Sequence, residues 1–198
     1  MGGPQVAARR VGVLALQGSY RRHAETCARL GASVIEVRTP ADLAEVDALV
    51  LPGGESTTMS RLLDTSGLRE PVAARLAEGM AAFGTCAGMI LLAEDVADGR
   101  ADQRSFGAID LGVRRNAYGR QLDSFVAELD VTGLDGGPFH GVFIRAPMVE
   151  RVGPGVTVLA SHDDRPVLLR SGTVAVAAFH PELAHDDRVH DWFLQEVC

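Results

Sequence analysis

Gly84-Thr85-Cys86-Ala87-Gly88 sets one cysteine between two glycines, after the apolar run Met80-Ala81-Ala82-Phe83 and before the helix-like Met89-Ile90-Leu91-Leu92-Ala93. A strand that turns abruptly into a helix holds its corner residue in a tight backbone, and nearby glycines let the two elements approach. The corner side chain is then forced outward. A cysteine in that place also sits at a helix N-terminus, where unpaired N–H groups and the helix dipole favour the thiolate, the nucleophilic form. The Ala87 N–H is placed to donate to an oxyanion formed when sulfur attacks a carbonyl. The alternative is a buried core thiol, since free cysteines are among the most buried residues. A partner base decides between the two.

Val174-Ala175-Val176-Ala177-Ala178-Phe179 reads as a strand ending in His180-Pro181-Glu182. In a parallel sheet its end opens on the same edge as the Cys86 strand, so His180 can reach the sulfur. Glu182 can then hydrogen-bond the far ring nitrogen and fix the tautomer, completing a Cys-His-Glu triad. Alone, His180 reads rather as a satisfied surface or core histidine; joined to an elbow cysteine it does not stand alone. The histidines at 23, 140, 162, 185 and 190 fall in polar or loop-like settings without metal-ligand spacing, so no metal is expected. His162-Asp163-Asp164 and His185-Asp186-Asp187 read as solvated turns.

Two loops add anion-binding chemistry. Leu51-Pro52-Gly53-Gly54-Glu55-Ser56-Thr57-Thr58 is glycine-rich but lacks the lysine of a phosphate-binding loop. Its N–H groups at a helix start suit a carboxylate or a second oxyanion donor, with Ser56 or Thr57 as the expected cap. Arg114, Arg115 and Arg120 are concentrated in a chain that is acidic overall. Such a run is commonly a solvated face, but one guanidinium can hold a carboxylate bidentately. Arg145, at another strand end, offers a further contact for an anion.

These residues need a frame that brings strand ends together. Val11 to Leu16, Ser33 to Val37 and Ala48 to Leu51 read as strands, with helices expected over Tyr20–Leu30 and Leu68–Glu78. Between Phe106 and Val131 shorter strands suggest an antiparallel extension. Parallel-type strands are expected to resume at Gly141–Ile144, Val156–Ala160, Pro166–Leu169 and Val174–Phe179, before a final helix over Asp187–Val197. The expected fold is a three-layer α/β/α sandwich, flavodoxin-like, with a mostly parallel central sheet and ligands at the carboxyl ends of its strands.

With 198 residues, 46% of them hydrophobic and 23% charged, one compact domain over residues 1–198 is expected, Met1–Arg10 being a flexible extension. A net charge of −7 argues against a nucleic-acid surface, and no stretch approaches the roughly 18 apolar residues of a membrane span. Three cysteines without close pairing fit a reducing cytoplasm, and no signal peptide is read at the N-terminus.

Taken together, Leu14-Ala15-Leu16-Gln17-Gly18, Leu51–Thr58, Gly84–Gly88, Arg115-Asn116-Ala117-Tyr118-Gly119-Arg120-Gln121, Phe143-Ile144-Arg145-Ala146-Pro147 and Phe179-His180-Pro181-Glu182-Leu183 resemble the class I glutamine amidotransferases. The closest resemblance is to the glutaminase subunits of two-protein pyridoxal 5′-phosphate synthases. That resemblance implies Cys86 as nucleophile, His180 as base and Glu182 as the orienting carboxylate. It implies L-glutamine binding by Gly54, Glu55, Ser56, Arg115, Ile144 and Arg145, and an oxyanion hole involving Ala87, Gly54 and Gln17. It also implies a hetero-oligomer in which ammonia passes to a synthase subunit that builds pyridoxal phosphate from a pentose phosphate and a triose phosphate. The chain itself would need no cofactor, pyridoxal phosphate being a product. Two other readings stay open here: a glutaminase serving another acceptor, and a catalytically silent regulatory subunit.

Overall fold

The computed structural model describes residues 9–99, 103–115 and 124–198. Twelve strands are present among them: β1 Arg10–Leu14, β2 Ser33–Val37, β3 Ala48–Leu51, β4 Ala81–Thr85, β5 Ala93–Ala97, β6 Ile109–Arg114, β7 Ser124–Leu129, β8 Phe139–Ile144, β9 Met148–Val152, β10 Thr157–His162, β11 Arg165–Ser171 and β12 Val174–Ala177. The helices are α1 Tyr20–Arg29, α2 Pro40–Ala44, α3 Ser56–Thr65, α4 Arg69–Ala77, α5 Ala87–Leu92 and α6 Arg188–Trp192. A 3-10 turn covers Pro181–Leu183, and Phe193–Val197 continues α6 as a π-helical segment.

The main sheet has seven strands in the order β10-β11-β12-β4-β3-β1-β2. Strands β2, β1, β3, β4 and β12 run parallel. Every residue of β3, β4 and β12 is buried, which is why these segments are apolar throughout rather than alternating. Helix α1 packs with α6, whereas α2 meets α4 and α3 meets α5. Right-handed crossovers put these two groups on opposite faces, giving the expected three layers. Phe83 of β4 stacks on Phe193 at 5.3 Å between centroids, joining the sheet to the C-terminal segment.

Three expectations are corrected. Segments β10 and β11 are not parallel: they form an antiparallel hairpin at the sheet edge, with β11 antiparallel to β12. The turn explains it, because Asp163 and Asp164 both have positive φ, at 48° and 61°, as a two-residue primed hairpin turn requires. Strand β8 lies outside the main sheet, paired antiparallel with β7. A further three-stranded sheet joins β5, β6 and β9. Finally, Arg10 already belongs to β1, and Arg9 donates to the carbonyls of Leu194, at 2.8 Å, and Cys198. The expected extension lies outside the described residues only as far as residue 8. Among the described residues, no helix is long and apolar enough to cross a membrane.

Candidate active site

Cys86 follows β4 and caps α5 with φ 49° and ψ −102°, a region that residues with a Cβ rarely adopt. The sharp turn is held from both sides. The Cys86 N–H donates to the Ala177 carbonyl of β12 at 2.8 Å. Gly88, on the first turn of α5, lies so close to the Leu51 carbonyl that any Cβ would collide with it. The glycine thus lets the helix rest directly on β3.

β12 pairs with β4 so that Ala177 is opposite Thr85, and the chain leaving β12 therefore emerges beside Cys86. The His180 N–H donates to Val142 of β8 at 2.8 Å, which fixes the backbone. A Cβ on Gly53 would collide with His180 Cε1, so glycine lets the imidazole settle against this loop. The ring and Cys86 line the same pocket. The ring Nδ1 lies 2.8 Å from Glu182 Oε1. The structure thus brings together the three residues that the sequence singled out, with Cys86, His180 and Glu182 all buried.

Electrostatics follow from that burial. Burial opposes charge on His180, but Cys86 and Glu182 outweigh it and raise the imidazole to about 10. Burial likewise opposes charge on Glu182, yet His23 and His180 hold its carboxyl well below the usual range. The pair can therefore present an imidazolium to the sulfur and stabilise negative charge there.

A pocket of about 130 Å³ is lined by Gly54, Glu55, Ser56, Cys86, Ile90, Arg115, Ile144, Arg145 and His180. That is space for roughly ten water-sized groups, the scale of one free amino acid rather than a peptide. Ile144 turns its carbonyl toward the nucleophile, accepting from Cys86 Sγ at 3.9 Å. Arg145 follows with φ 44°, a second strained non-glycine backbone at the same pocket. Arg115, with its side chain 13% exposed, donates from Nη1 to Gln103 Oε1 at 2.6 Å and from Nη2 to Glu55 Oε1 at 3.2 Å. Residues 116–121 of the arginine block lie outside the described residues.

The cap of α3 differs from the expectation. Glu55, not Ser56 or Thr57, is the N-cap: its carboxylate accepts from the N–H groups of Thr57 at 3.0 Å and Thr58 at 2.7 Å. Burial resists this charge, but the Thr58 and Thr57 hydrogen bonds lower Glu55 to about 2. Ser56 is left free to line the pocket. Gln17 does not line it; its Oε1 accepts from the Glu55 N–H at 3.0 Å and so ties the β1 loop to the Gly54 loop. Ala87 opens α5 directly behind the sulfur, with its N–H in the first turn.

Residues that the sequence reading passed over complete the back of the site. Ser19 Oγ donates to Glu182 Oε1 at 2.5 Å. His23 and His190, expected in polar settings, are instead fully buried. His23 Nε2 lies 3.2 Å from Glu182 Oε2, and His23 Nδ1 lies 2.9 Å from His190 Nε2. One signal was available: Tyr20, His23, Ala24 and Cys27 recur at helical spacing, which puts His23 on the inward face of α1.

A nucleophile, an acid–base imidazole, its carboxylate and a cation around an amino-acid-sized pocket are the parts of an amide hydrolase. The family model described as the SNO glutamine amidotransferase family matches residues 13–198. The chain is 55% identical over 188 residues to the pyridoxal 5′-phosphate synthase subunit PdxT of Frankia alni, covering 95% of this chain and 94% of that one. It is 54% identical over 192 residues to the same-named subunit of Salinispora arenicola, covering 94% and 96%. A crystal structure of a glutamine amidotransferase superposes with a TM-score of 0.87 at 49% identity, covering 93% of this chain and 97% of that one. With the match running almost end to end and taking in Cys86, His180 and Glu182, the chain belongs to the SNO glutamine amidotransferase family.

Proposed function

We propose that the chain is the glutaminase subunit of a pyridoxal 5′-phosphate synthase. It hydrolyses L-glutamine to L-glutamate and ammonia and passes the ammonia to a synthase subunit, which builds pyridoxal 5′-phosphate from a pentose phosphate and a triose phosphate. The observation that carries this reading is that Cys86 and His180, the latter bonded to Glu182 at 2.8 Å, line one pocket together with Arg115 and Arg145. Relatives named as synthase subunits, at 55% and 54% identity, supply the acceptor.

The reaction follows from the geometry. Arg115, with the Gly54–Ser56 loop, anchors the amino-acid end of glutamine, and the side-chain amide reaches Cys86. The thiolate attacks the amide carbon, and the oxygen takes up negative charge beside the Ala87 and Gly54 N–H groups. His180 then gives its proton to the departing nitrogen, ammonia leaves, and a γ-glutamyl thioester remains. A water attacks the thioester while neutral His180 accepts its proton. Collapse releases glutamate and restores the thiolate–imidazolium pair. Glu182 keeps the imidazole oriented through both halves.

The three free cysteines suit a reducing compartment, and we assign the protein to the cytoplasm as one glutaminase unit. The test is a mixed assay with the synthase subunit, following glutamate and pyridoxal phosphate together. Wild-type chain yields both, and Cys86→Ala yields neither from glutamine. Equal glutamate release by Cys86→Ala would overturn the assignment.

A further inference from the structure

Behind Glu182 the molecule buries two more ionisable rings that the reaction does not use. Helix α1 supplies His23 and α6 supplies His190, both with 0% exposure. Placing two imidazoles in the core is costly unless their polar atoms are paired. Their hydrogen bonds can therefore be counted. Phe83 packs edge-on to the His190 ring at 6.0 Å between centroids, and His190 Nδ1 has no hydrogen-bond partner among the described residues. Burial is the chief reason that His190 stays uncharged down to about 3, with His23 adding to it.

A neutral His190 carries one ring proton. On Nδ1 it would be a buried donor without an acceptor, which is unfavourable. On Nε2 it points at His23 Nδ1, 2.9 Å away. The second arrangement leaves only a lone pair unmet. It obliges His23 Nδ1 to accept, so the His23 proton lies on Nε2. There it has two neighbours, Glu182 Oε2 and Thr85 Oγ1, each 3.2 Å distant. Among the described residues no hydrogen bond of good geometry reaches Oε2, His23 included; the 3.2 Å approach of His23 Nε2 is its nearest polar contact, and a carboxylate draws an N–H more strongly than a hydroxyl does. With the opposite tautomers, the His23 Nε2 lone pair would face the carboxylate, and the His190 Nδ1 proton would have no acceptor.

We propose that His23 is a positioning residue of the glutaminase, whose Nε2–H is aimed at Glu182 Oε2 because His190 occupies its other ring nitrogen. Glu182 is then faced on Oε2 by His23, 3.2 Å away, and hydrogen-bonded on Oε1 by Ser19 and His180. A carboxylate hydrogen-bonded at one oxygen and attracted to an N–H at the other resists turning away from His180, so the imidazole keeps its orientation at the end of β12. The triad extends inward as a line of five side chains drawn from α1, α6, β4 and the end of β12. This inference rests on the glutaminase reading for its kinetic consequence, but the tautomers are independent of it.

The experiment uses the full chain with the synthase subunit. His23→Leu removes the donor while keeping a buried apolar volume; kcat for glutamate release falls ~10- to 100-fold with KM within about twofold, because the glutamine-binding residues are untouched. His23→Gln, whose amide N–H reaches the carboxylate from the same place, recovers activity to within about fivefold of wild type. Nitrogen-15 spectra of the wild-type chain show both His23 and His190 as Nε2–H tautomers, and His190→Leu releases His23 from that state and lowers kcat. If His23→Leu fails to fold, the wild-type tautomers and His190→Leu still decide. Unchanged kcat in a folded His23→Leu, or an Nδ1–H tautomer on either ring, overturns the proposal. A wild-type chain that releases no glutamate in the complex would instead sink the glutaminase reading and leave the tautomer result to judge the role of His23.

Discussion

Cys86 is held where an L-residue is uncomfortable, at φ 49° and ψ −102°, and such strain costs of order 1–3 kcal/mol. Glycine ordinarily destabilises relative to alanine by roughly 0.5–1 kcal/mol in regular structure. At position 86 that order reverses: Cys86→Gly is more stable than Cys86→Ala by about 1 kcal/mol in denaturant unfolding, although both are inactive. Alanine the more stable would mean the elbow is relaxed. Arg115 belongs to the same scale. If its guanidinium leaves Gln103 for the substrate carboxylate, Arg115→Ala lowers kcat/KM for glutamine by ~10- to 100-fold, the scale of a charge-assisted hydrogen bond. Kinetics identical to wild type would remove it from the site. The cysteine, His180 and Glu182 were legible in the sequence because glycine spacing and a strand end are local signals. His23 and His190 were not, because what makes them special is burial against each other across 167 positions of chain.

At the scale of elements, the loop into α3 couples the pocket to a helix cap. Glu55 supplies the cap, so Glu55→Ala costs about 1 kcal/mol of stability and frees the Arg115 side chain from one of its two partners. The contribution has a pH signature. Glu55 is lowered from an ordinary 4.5 to about 2, so its part of the stability is present above about 4.5 and is lost as pH falls toward about 2. An acid limb unchanged in Glu55→Gln would contradict this. The parallel strands β1, β3, β4 and β12 were readable as unbroken apolar runs. The same kind of run misled at β10 and β11: Val167–Leu169 of β11 are buried like a parallel strand, whereas β10 is a largely exposed edge strand despite its Val156–Ala160 run. The better signal was the turn: Asp163-Asp164 is chemistry for two successive positive φ angles, and such a turn forces antiparallel neighbours.

For the molecule as a whole, two buried imidazoles make stability fall on both sides of one pH window, and activity falls on its alkaline side. His180 is raised from 6.5 to about 10, so its stabilising interactions are complete below about 6.5 and are lost as pH rises through about 10. Glutamate release declines over the same alkaline range, because the imidazolium is the proton source for ammonia. His190 acts in the other direction. Its value is depressed to about 3, so the folded chain loses stability as pH falls from about 6.5 toward about 3, where the unfolded chain takes up a proton that the core refuses. Thermal unfolding across that range, compared with His190→Gln, checks the assignment: the variant loses the acid slope, and an identical slope would contradict it. The central claim is a covalent one, that glutamine becomes a thioester on Cys86. Acid quench of the complex during turnover, followed by mass spectrometry, measures it directly. A γ-glutamyl adduct on the Cys86 peptide, absent in Cys86→Ala, is the result predicted; turnover with no adduct there, or an adduct on another residue, would contradict it.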